Sequence, residues 1–151
     1  MKALQQDQRS MIIPTLRYRD GHAAIDWLCK AFGFAKDLVV PDASGAVAHA
    51  QLTFGNGMIM LGSATNNEFS KLVKSPAESG GIGSQSVYIV VAAIDAHYAQ
   101  AVKAGAEIVI AIKDEDYGGR VYSCRDPEGH IWNFGSYDPW SAEAAGSTAR
   151  V

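Results

Sequence analysis

The sequence predicts an α+β fold in which two tandem βαβββ modules form a curved mixed sheet, with the helices on its convex side. Two observations support this prediction. The order of one strand, one helix and three strands occurs twice along the chain. In addition, the helix-ending glycines Gly33 and Gly105 are as far apart as the turn glycines Gly57 and Gly129. The length of 151 residues fits one domain with a sizeable core.

The first module spans about residues 11–62 and follows a leader of residues 1–10. It opens with the strand-like run Met11–Tyr18. Asp20 can cap a helix whose apolar stripe ends before Gly33, a residue suited to a left-handed cap. Three strands follow, and a Gly-Asn-Gly turn precedes the last one; they are Ala35–Val40, Val47–Phe54 and Met58–Leu61.

Residues 63–84 form a connection without periodicity, either a functional loop or a linker. The second module, about residues 85–136, begins with the strand Ser86–Val91. An apolar stripe then predicts a helix that ends at Gly105. Residues 137–151 have the composition of a tail, and residues 11–136 are expected to form a single domain.

The second module closes with a strand, Glu107–Ile112, and a β-hairpin. In the hairpin, two alternating runs, Val121–Arg125 and His130–Phe134, flank the turn Asp126–Gly129. Proline presets one corner of such a turn and glycine accepts a positive φ at another.

Composition excludes several classes of partner. The net charge is −3 and no Lys/Arg run is present, which argues against nucleic acid. No apolar run approaches the roughly 20 residues that a membrane helix needs, and the first residues lack the apolar core of a signal peptide. Cys29 and Cys124 have no companions at metal-binding spacing. We therefore expect a cytoplasmic protein that binds neither nucleic acid nor membrane.

A single βαβββ module has a helix on one face only and leaves sheet edges uncovered. Such a unit would hardly be stable alone. Two modules side by side can enclose a concave pocket, and two chains can cover the remaining edges. The sequence therefore predicts a homodimer.

Two motifs carry a family resemblance. The first is the helix end Ala31–Phe34, Ala-Phe-Gly-Phe, and the second is the run Arg125–Phe134, Arg-Asp-Pro-Glu-Gly-His-Ile-Trp-Asn-Phe. With the tandem modules, they resemble the vicinal oxygen chelate superfamily. That superfamily includes glyoxalase I, extradiol dioxygenases, fosfomycin-modifying thiol transferases and bleomycin-resistance proteins. The resemblance covers residues 11–136.

The resemblance implies four metal-ligand positions, on the first and last strands of each module. They fall on Ile13, Leu61, Ser86 and Asn133, with Gln85 as an alternative to Ser86. Aliphatic side chains cannot bind a metal, and serine and asparagine are poor ligands for transition metals. We expect no metal and no cofactor. No catalytic residue is assigned, and enzymatic activity is uncertain, with the balance against it.

The histidines do not rebuild a metal site by spacing. His22 and His97 are expected on solvent-exposed helix surfaces. His130 should point away from Asn133. His49 should point away from the cavity if the turn at residues 55–57 is a regular two-residue hairpin, and toward it if the turn contains a bulge.

Strand alternation and loop position nominate the ligand-binding side chains. Tyr122 and Cys124 are expected on the face of Ile131 and Asn133, and Tyr117 in a flexible Gly-bearing loop. The predicted ligand-binding residues are Thr15, Arg17, Leu61, Ser86, Tyr88, Tyr117, Tyr122 and Asn133.

Three functions remain open. The first is a metal-free binding protein, similar to the bleomycin-resistance branch, that sequesters an antibiotic or aromatic metabolite in a concave pocket. The second is a metal-dependent lyase, thiol transferase or dioxygenase with a displaced metal site that uses His49. The third is an interaction module with a vestigial cavity.

Overall fold

The computed structural model describes residues 8–141. Two compact units make up the chain, the first ending at Ile82 and the second beginning at Gly83. This boundary lies within the predicted connection of residues 63–84. Within residues 8–141, no helix is long and apolar enough to cross a membrane.

Unit 1 contains one helix and a four-stranded sheet. Its elements are β1 (Thr15–Tyr18), α1 (Gly21–Phe32), β2 (Ala35–Pro41), β3 (Val47–Phe54) and β4 (Gly57–Ser63). The strand order is β1-β4-β3-β2, with β1 parallel to β4 and the other pairs antiparallel. The predicted βαβββ order and mixed sheet are confirmed.

Helix α1 forms where its capping residues predict. Asp20 accepts a hydrogen bond from the Ala23 backbone N–H at 3.0 Å. Gly33 ends the helix with φ of 85°, a left-handed conformation that glycine adopts without strain. The apolar stripe that includes Leu28 and Phe32 is buried against the sheet. The two capping residues and the apolar stripe were therefore sufficient to predict helix α1.

The β3–β4 hairpin has a two-residue loop. Phe54 pairs with Gly57, which leaves Gly55 and Asn56 in the turn. The Asn56 side chain donates to the Gln8 carbonyl at 3.2 Å, and the Ser10 N–H donates to the Asn56 carbonyl at 2.9 Å. The end of the expected leader is thus held on this turn.

Unit 2 repeats the topology of unit 1. Its elements are β5 (Val87–Val90), α2 (Ile94–Lys103), β6 (Glu107–Asp114), β7 (Arg120–Arg125) and β8 (Ile131–Gly135). The strand order is β5-β8-β7-β6, again with the first pair parallel and the others antiparallel. Trp132 and Phe134 are fully buried at its centre. Val102 on α2 is 47% exposed.

The β7–β8 hairpin differs from the β3–β4 hairpin. Arg125 pairs with Ile131, so five residues form the loop. The Asp126 carboxylate accepts from the backbone N–H groups of Glu128 and His130 and from the Trp132 indole N–H, at 3.0–3.1 Å. Gly129 has φ of 93° within this loop, whereas Gly57 is a strand residue. The expected equivalence of these two glycines is wrong.

Candidate functional site

The two faces of the unit 1 sheet are distinguished by strand register. Leu61 pairs with Leu16 on one side and Ala50 on the other. Leu61 and Ala50 are buried on the face that α1 covers, and Leu61 is only 3% exposed. Leu61 nevertheless borders the cavity of unit 1 described next, and its predicted role in ligand binding stays a prediction.

The opposite face of this sheet borders a cavity of about 350 Å³. Thr15 pairs with Met60, and Arg17 pairs with Gly62, so these four residues share one face. Other cavity residues come from β3 and from the connection that follows β4. The residues that matter most for its chemistry are Thr15, Arg17, His49, Met60, Thr65 and Phe69.

Arg17 is a buried cation at the cavity wall. Its relative exposure is 8%, although arginine is seldom so buried. The Nη2 group donates to the Thr65 carbonyl at 2.9 Å, and the guanidinium carbon lies 6.0 Å from the centroid of the Phe69 ring. Together these contacts orient the guanidinium through a hydrogen bond and a cation–π interaction.

The connection supplies part of the cavity wall. It contains two short 3₁₀ turns, Phe69–Lys71 and Pro76–Glu78. Asn67 accepts from the Ser70 backbone N–H at 3.0 Å, which fixes the first turn beside the cavity. Thr65, Asn67 and Phe69 all border the cavity. Sequence reasoning missed these residues because the connection lacks periodicity; an aromatic side chain in a polar loop was the available signal.

His49 borders the cavity and begins a series of side-chain hydrogen bonds. Its Nε2 lies 2.9 Å from Gln51 Oε1, and Gln51 Nε2 donates to Asp37 Oδ2 at 2.8 Å. Because the Gln51 amide nitrogen donates to a carboxylate, its oxygen faces the imidazole. This arrangement makes His49 Nε2 the donor and leaves Nδ1 as an acceptor.

The orientation of His49 corrects a prediction made from the hairpin. The hairpin is regular, and Ala50 shares the face of Leu61 as expected. The expectation that His49 then points away from the cavity is wrong, because His49 is one of the residues that border the cavity.

In unit 2, Asn133 ties three strands together. Its Oδ1 accepts from the Ser123 hydroxyl at 2.6 Å. Its Nδ2 donates to the Ser86 hydroxyl at 2.9 Å and to the Val87 carbonyl at 3.0 Å. Two predicted ligand-binding residues, Ser86 and Asn133, thus contact each other, and these bonds occupy much of the Asn133 amide.

Tyr88 and Tyr117, two further predicted site residues, meet around Tyr137. The Tyr88 hydroxyl donates to the Tyr137 carbonyl at 2.7 Å, and the Tyr117 and Tyr137 rings meet edge to face at 4.7 Å. Burial, and then the neighbouring tyrosines and Asp138, raises the pKa of Tyr88 to about 12. Gly135 makes room for this hydroxyl, since a Cβ there would lie 2.5 Å from it. The Tyr88 phenol is therefore neutral at physiological pH.

Tyr122 is a core residue rather than part of the Asn133 face. The register pairs Tyr122 with Phe134 and pairs Ser123 with Asn133. Tyr122 is fully buried, and its hydroxyl lies 2.7 Å from Nδ1 of His97 on α2. The predicted orientation of Tyr122 and Cys124 is wrong because the hairpin loop has five residues, which reverses strand parity.

The same contact corrects the prediction for His97. Its ring packs against Phe134 at a tilt of 44° with centroids 4.4 Å apart, so His97 is half-buried rather than solvent-exposed. His22, in contrast, is exposed at the start of α1, where its Nε2 lies 2.8 Å from the Gly45 carbonyl oxygen.

Comparison with known proteins agrees with the fold. The profile of the Glyoxalase/Bleomycin resistance protein/Dioxygenase superfamily matches residues 12–134. The chain belongs to this superfamily. An uncharacterized protein of Mycobacterium bovis, Mb0911c, is 31% identical over 122 residues, which is 81% of this chain and 80% of that protein. The uncharacterized protein Rv0887c of Mycobacterium tuberculosis is also 31% identical, over 81% of this chain and 71% of that protein.

Solved structures of the superfamily share the architecture. TioX from Micromonospora sp. ML1 is 36% identical with a TM-score of 0.67, covering 83% of this chain and 97% of that one. FosX, a fosfomycin resistance protein from Listeria monocytogenes, was solved in complex with Mn(II) and sulfate. It is 11% identical with a TM-score of 0.63, covering 90% and 94% of the two chains. The likeness to FosX concerns the fold alone.

The side chains at the superfamily's metal positions do not fit a divalent metal. The resemblance assigns these positions to Ile13, Leu61, Ser86 and Asn133, and the aliphatic Ile13 and Leu61 cannot bind a metal. Thr15, Arg17, Met60 and Gly62 lie on the cavity face of β1 and β4, where a guanidinium repels a cation. In unit 2 the corresponding face offers the hydrogen-bonded amide of Asn133. Among residues 8–141, no three His, Cys, Asp or Glu side chains cluster at metal-binding distance.

Proposed function

We propose that this protein binds a small organic molecule, an antibiotic or an aromatic metabolite, in the cavity of unit 1 without using a metal. The observation that carries the proposal is the cavity of about 350 Å³ with a buried arginine in its wall. Ligand sites in proteins commonly measure about 300–1,000 Å³ and combine apolar walls with a few polar groups.

The cavity wall has this mixed character. Met60 and the Phe69 ring supply apolar area, and Thr15, Arg17 and His49 supply hydrogen-bonding groups. The proposed site therefore keeps Thr15, Arg17 and Leu61 from the sequence prediction and adds residues from β3 and from the connection. Ser86, Tyr88, Tyr117 and Asn133 are proposed as a secondary surface of unit 2, whereas Tyr122 is left out.

A second candidate function is supported by His49. Its position at the cavity and its link through Gln51 to Asp37 are what a displaced metal or proton-transfer site would need. The arginine on the same wall and the lack of a second imidazole among the cavity residues favour the metal-free function. The third hypothesis, a vestigial cavity, predicts that no ligand stabilises the protein.

The test is a thermal-shift screen of antibiotics and aromatic metabolites on two matched variants. Thr15→Trp fills the cavity of unit 1 from an exposed strand position. Ser86→Trp places the same side chain immediately before β5, the first strand of unit 2. Compounds that raise the Tm of the wild type should lose their effect in Thr15→Trp and keep it in Ser86→Trp. The reverse pattern would move the site to unit 2, and no stabilising compound at all would support a vestigial cavity.

We also propose that the protein is a homodimer in the cytoplasm and that residues 11–136 act as one domain. Edge strand β2 exposes Leu38 and Val40 at 44% and 40%, and edge strand β6 exposes Ile110 at 53%. Exposed apolar residues on sheet edges are a liability that a second chain can cover. Sedimentation velocity should give twice the mass of the chain, and a compact stable monomer would contradict the dimer.

A further inference from the structure

We propose that the cavity of unit 1 selects ligands that carry a hydroxyl group, and that Nδ1 of His49 accepts the hydrogen bond from this group. Gln51 and Asp37 act as positioning residues that keep Nδ1 free of a proton. This inference rests on the proposed function, since it names the chemical class of the ligand for the same cavity.

The strand register places His49 on the cavity face of the sheet. Gln51 pairs with Met60, and Met60 pairs with Thr15, so these three side chains lie on one face. His49 comes two residues before Gln51 on β3, and its side chain therefore points to the same face. It borders the cavity and is half-buried. A ligand in the cavity is thus within reach of the imidazole.

The hydrogen bonds of Gln51 determine which imidazole nitrogen carries the proton. The Asp37 carboxylate can only accept, so the Gln51 amide turns its Nε2 to Asp37 Oδ2, at 2.8 Å. Gln51 Oε1 then faces His49 Nε2 at 2.9 Å and requires a proton there. In the neutral imidazole, Nδ1 is consequently an acceptor, and within residues 8–141 it has no hydrogen-bond partner.

A β-bulge puts Asp37 in this position. Lys36 pairs with Leu52 and Leu38 pairs with Gln51, so Asp37 is an extra residue on β2 and two residues oppose Gln51. Bulges re-aim a side chain in this way and are common beside functional sites. The bulge therefore brings a fixed acceptor to the amide that orients His49.

The same series of hydrogen bonds makes Nδ1 a stronger acceptor. Hydrogen bonds in a chain polarise one another, and partners behind a histidine fix its tautomer and ring orientation and raise its basicity. An acceptor of this kind suits a neutral donor such as a hydroxyl group. Met60 and Phe69 supply apolar wall for the ring or chain that carries it. The inferred ligand class is a neutral aromatic or apolar compound with a hydroxyl group.

Asp42 also borders the cavity and is a competing acceptor. Its Oδ1 already accepts from the Ser44 backbone N–H at 2.8 Å, from the Ser44 hydroxyl at 2.6 Å and from the Ala46 N–H at 3.1 Å. These bonds tie the carboxylate to the β2–β3 turn, whereas the series behind His49 leaves Nδ1 available. Substitution of His49 distinguishes the two acceptors.

The experiment uses three probes with one ring system. 1-Naphthol donates a hydrogen bond, 1-methylnaphthalene neither donates nor accepts, and 1-naphthonitrile only accepts. Each is titrated into the intact protein at about pH 7.5, where most free imidazole is neutral. Amide chemical shifts in two-dimensional ¹H–¹⁵N NMR spectra give the affinities. We expect 1-naphthol to bind about fivefold more tightly than 1-methylnaphthalene, the effect of one hydrogen bond between neutral groups.

His49→Phe tests the assignment to His49, because phenylalanine keeps a planar ring and removes both nitrogens. It should lower the affinity for 1-naphthol to that for 1-methylnaphthalene, whose own affinity should stay close to the wild-type value. His22→Phe is the matched control, because His22 is exposed and does not border the cavity. His22→Phe should bind 1-naphthol as the wild type does.

Asp37→Asn tests the positioning role, because asparagine can donate as well as accept and no longer fixes the direction of the Gln51 amide. Long-range ¹H–¹⁵N spectra of the imidazole should show the His49 proton on Nε2 in the wild type and on either nitrogen in Asp37→Asn. The affinity for 1-naphthol should fall about twofold, in proportion to the fraction of the competent tautomer. A role in strand pairing alone would lower the Tm and leave the tautomer unchanged.

Each contrary outcome overturns the inference in a distinguishable way. Equal affinity for 1-naphthol and 1-methylnaphthalene would keep the cavity as a ligand site but reject recognition of a hydroxyl group. Tightest binding of 1-naphthonitrile would mean that His49 donates to the ligand. A preference for 1-naphthol that survives in His49→Phe would assign the hydroxyl group to another acceptor, Asp42 above all.

If none of the probes binds, hydroxyl recognition is rejected, while the Thr15→Trp and Ser86→Trp screen still decides the proposed function. The comparison of probes on the wild type and the tautomer of His49 remain decisive even if His49→Phe fails to fold.

Discussion

Units 1 and 2 have the same topology, but the sheet face away from the helix carries different polar groups in the two units. In unit 1 that face carries a buried cation whose oriented guanidinium borders a cavity. In unit 2 it carries Asn133, whose amide bonds to Ser86, Ser123 and the Val87 carbonyl. The guanidinium of unit 1 borders a cavity, whereas the amide of unit 2 joins strands to one another.

The difference separates two roles that a polar side chain can have in a repeated fold: stabilising the sheet and contacting a ligand. A polar side chain that is satisfied within the sheet contributes to stability and has little left for a ligand. A buried charge in a cavity wall contributes little to stability and keeps its capacity to interact with a ligand. Substitutions in the two units should therefore affect stability and binding in opposite proportion.

The largest expected effect concerns the two β-hairpins. Asp126→Ala removes three acceptor contacts and leaves the indole N–H of fully buried Trp132 without its carboxylate. The free energy of unfolding should fall by about 3–5 kcal/mol. In unit 1, Asn56→Ala removes one exposed hydrogen bond and should cost less than about 1 kcal/mol. Urea unfolding measures both, and equal losses would show that the hairpins do not differ as described.

The next effect compares the two polar groups directly. Asn133→Ala should lower the free energy of unfolding by about 2 kcal/mol, because two serine hydroxyls lose their partner. Arg17→Met should change it by no more than about 1 kcal/mol, because the lost contacts are offset by relief from burying a charge. Chemical denaturation measures the free energy of unfolding of both variants. A large loss for Arg17→Met with no loss for Asn133→Ala would reverse the division of tasks.

The two cysteines offer a pH-dependent comparison. Burial, and then Asp126, raises the pKa of the Cys124 thiol from 9.0 to about 12. Between these values the unfolded chain releases the proton and the folded chain keeps it, so stability falls as pH rises through this window. The slope is up to about 1.4 kcal/mol per pH unit.

Urea unfolding at several alkaline pH values should show a shallower slope for Cys124→Ala than for the wild type. Cys29→Ala in α1 is the matched control. Burial raises the pKa of the Cys29 thiol as well, but Lys36 opposes this effect and Cys29 is only half-buried. An identical slope in wild type and Cys124→Ala would contradict the account.

The smallest effect concerns the tyrosine cluster of unit 2. Tyr88→Phe removes the hydrogen bond to the Tyr137 carbonyl and should cost less than about 1 kcal/mol, because Tyr88 is 37% exposed. Tyr117→Phe keeps the edge-to-face contact with Tyr137 and should be neutral. Differential scanning calorimetry can detect the difference in Tm. A larger loss of Tm for Tyr117→Phe than for Tyr88→Phe would show that Tyr117, not Tyr88, makes the main hydroxyl contact.

Features that depend on neighbouring residues could be predicted from the sequence. The ends of α1 follow from Asp20 and Gly33, and the strand order follows from repeated local patterns. Thr15 and Arg17 were expected on a common face, and the register places both beside the cavity.

Features that depend on loop length could not be predicted reliably. Equal spacing of Gly57 and Gly129 suggested matching hairpins, but one loop has two residues and the other has five. A one-residue error reverses the face of every side chain in a strand, and this misplaced Tyr122 and Cys124. His49 was misplaced for a different reason, because its hairpin is regular but the cavity lies on the face that carries His49. Phe69 could not be assigned at all, because a connection without periodicity gives no indication of which way its side chains point.

The most direct test of the central claim is the amount of metal bound per chain after incubation with zinc, nickel, manganese and iron(II). The account predicts a ratio near zero for all four metals, because the positions that the resemblance assigns to metal ligands hold the aliphatic Ile13 and Leu61 and the weak ligands Ser86 and Asn133. A ratio near one that His49→Ala abolishes would contradict it and would support a metal-dependent function at a displaced site.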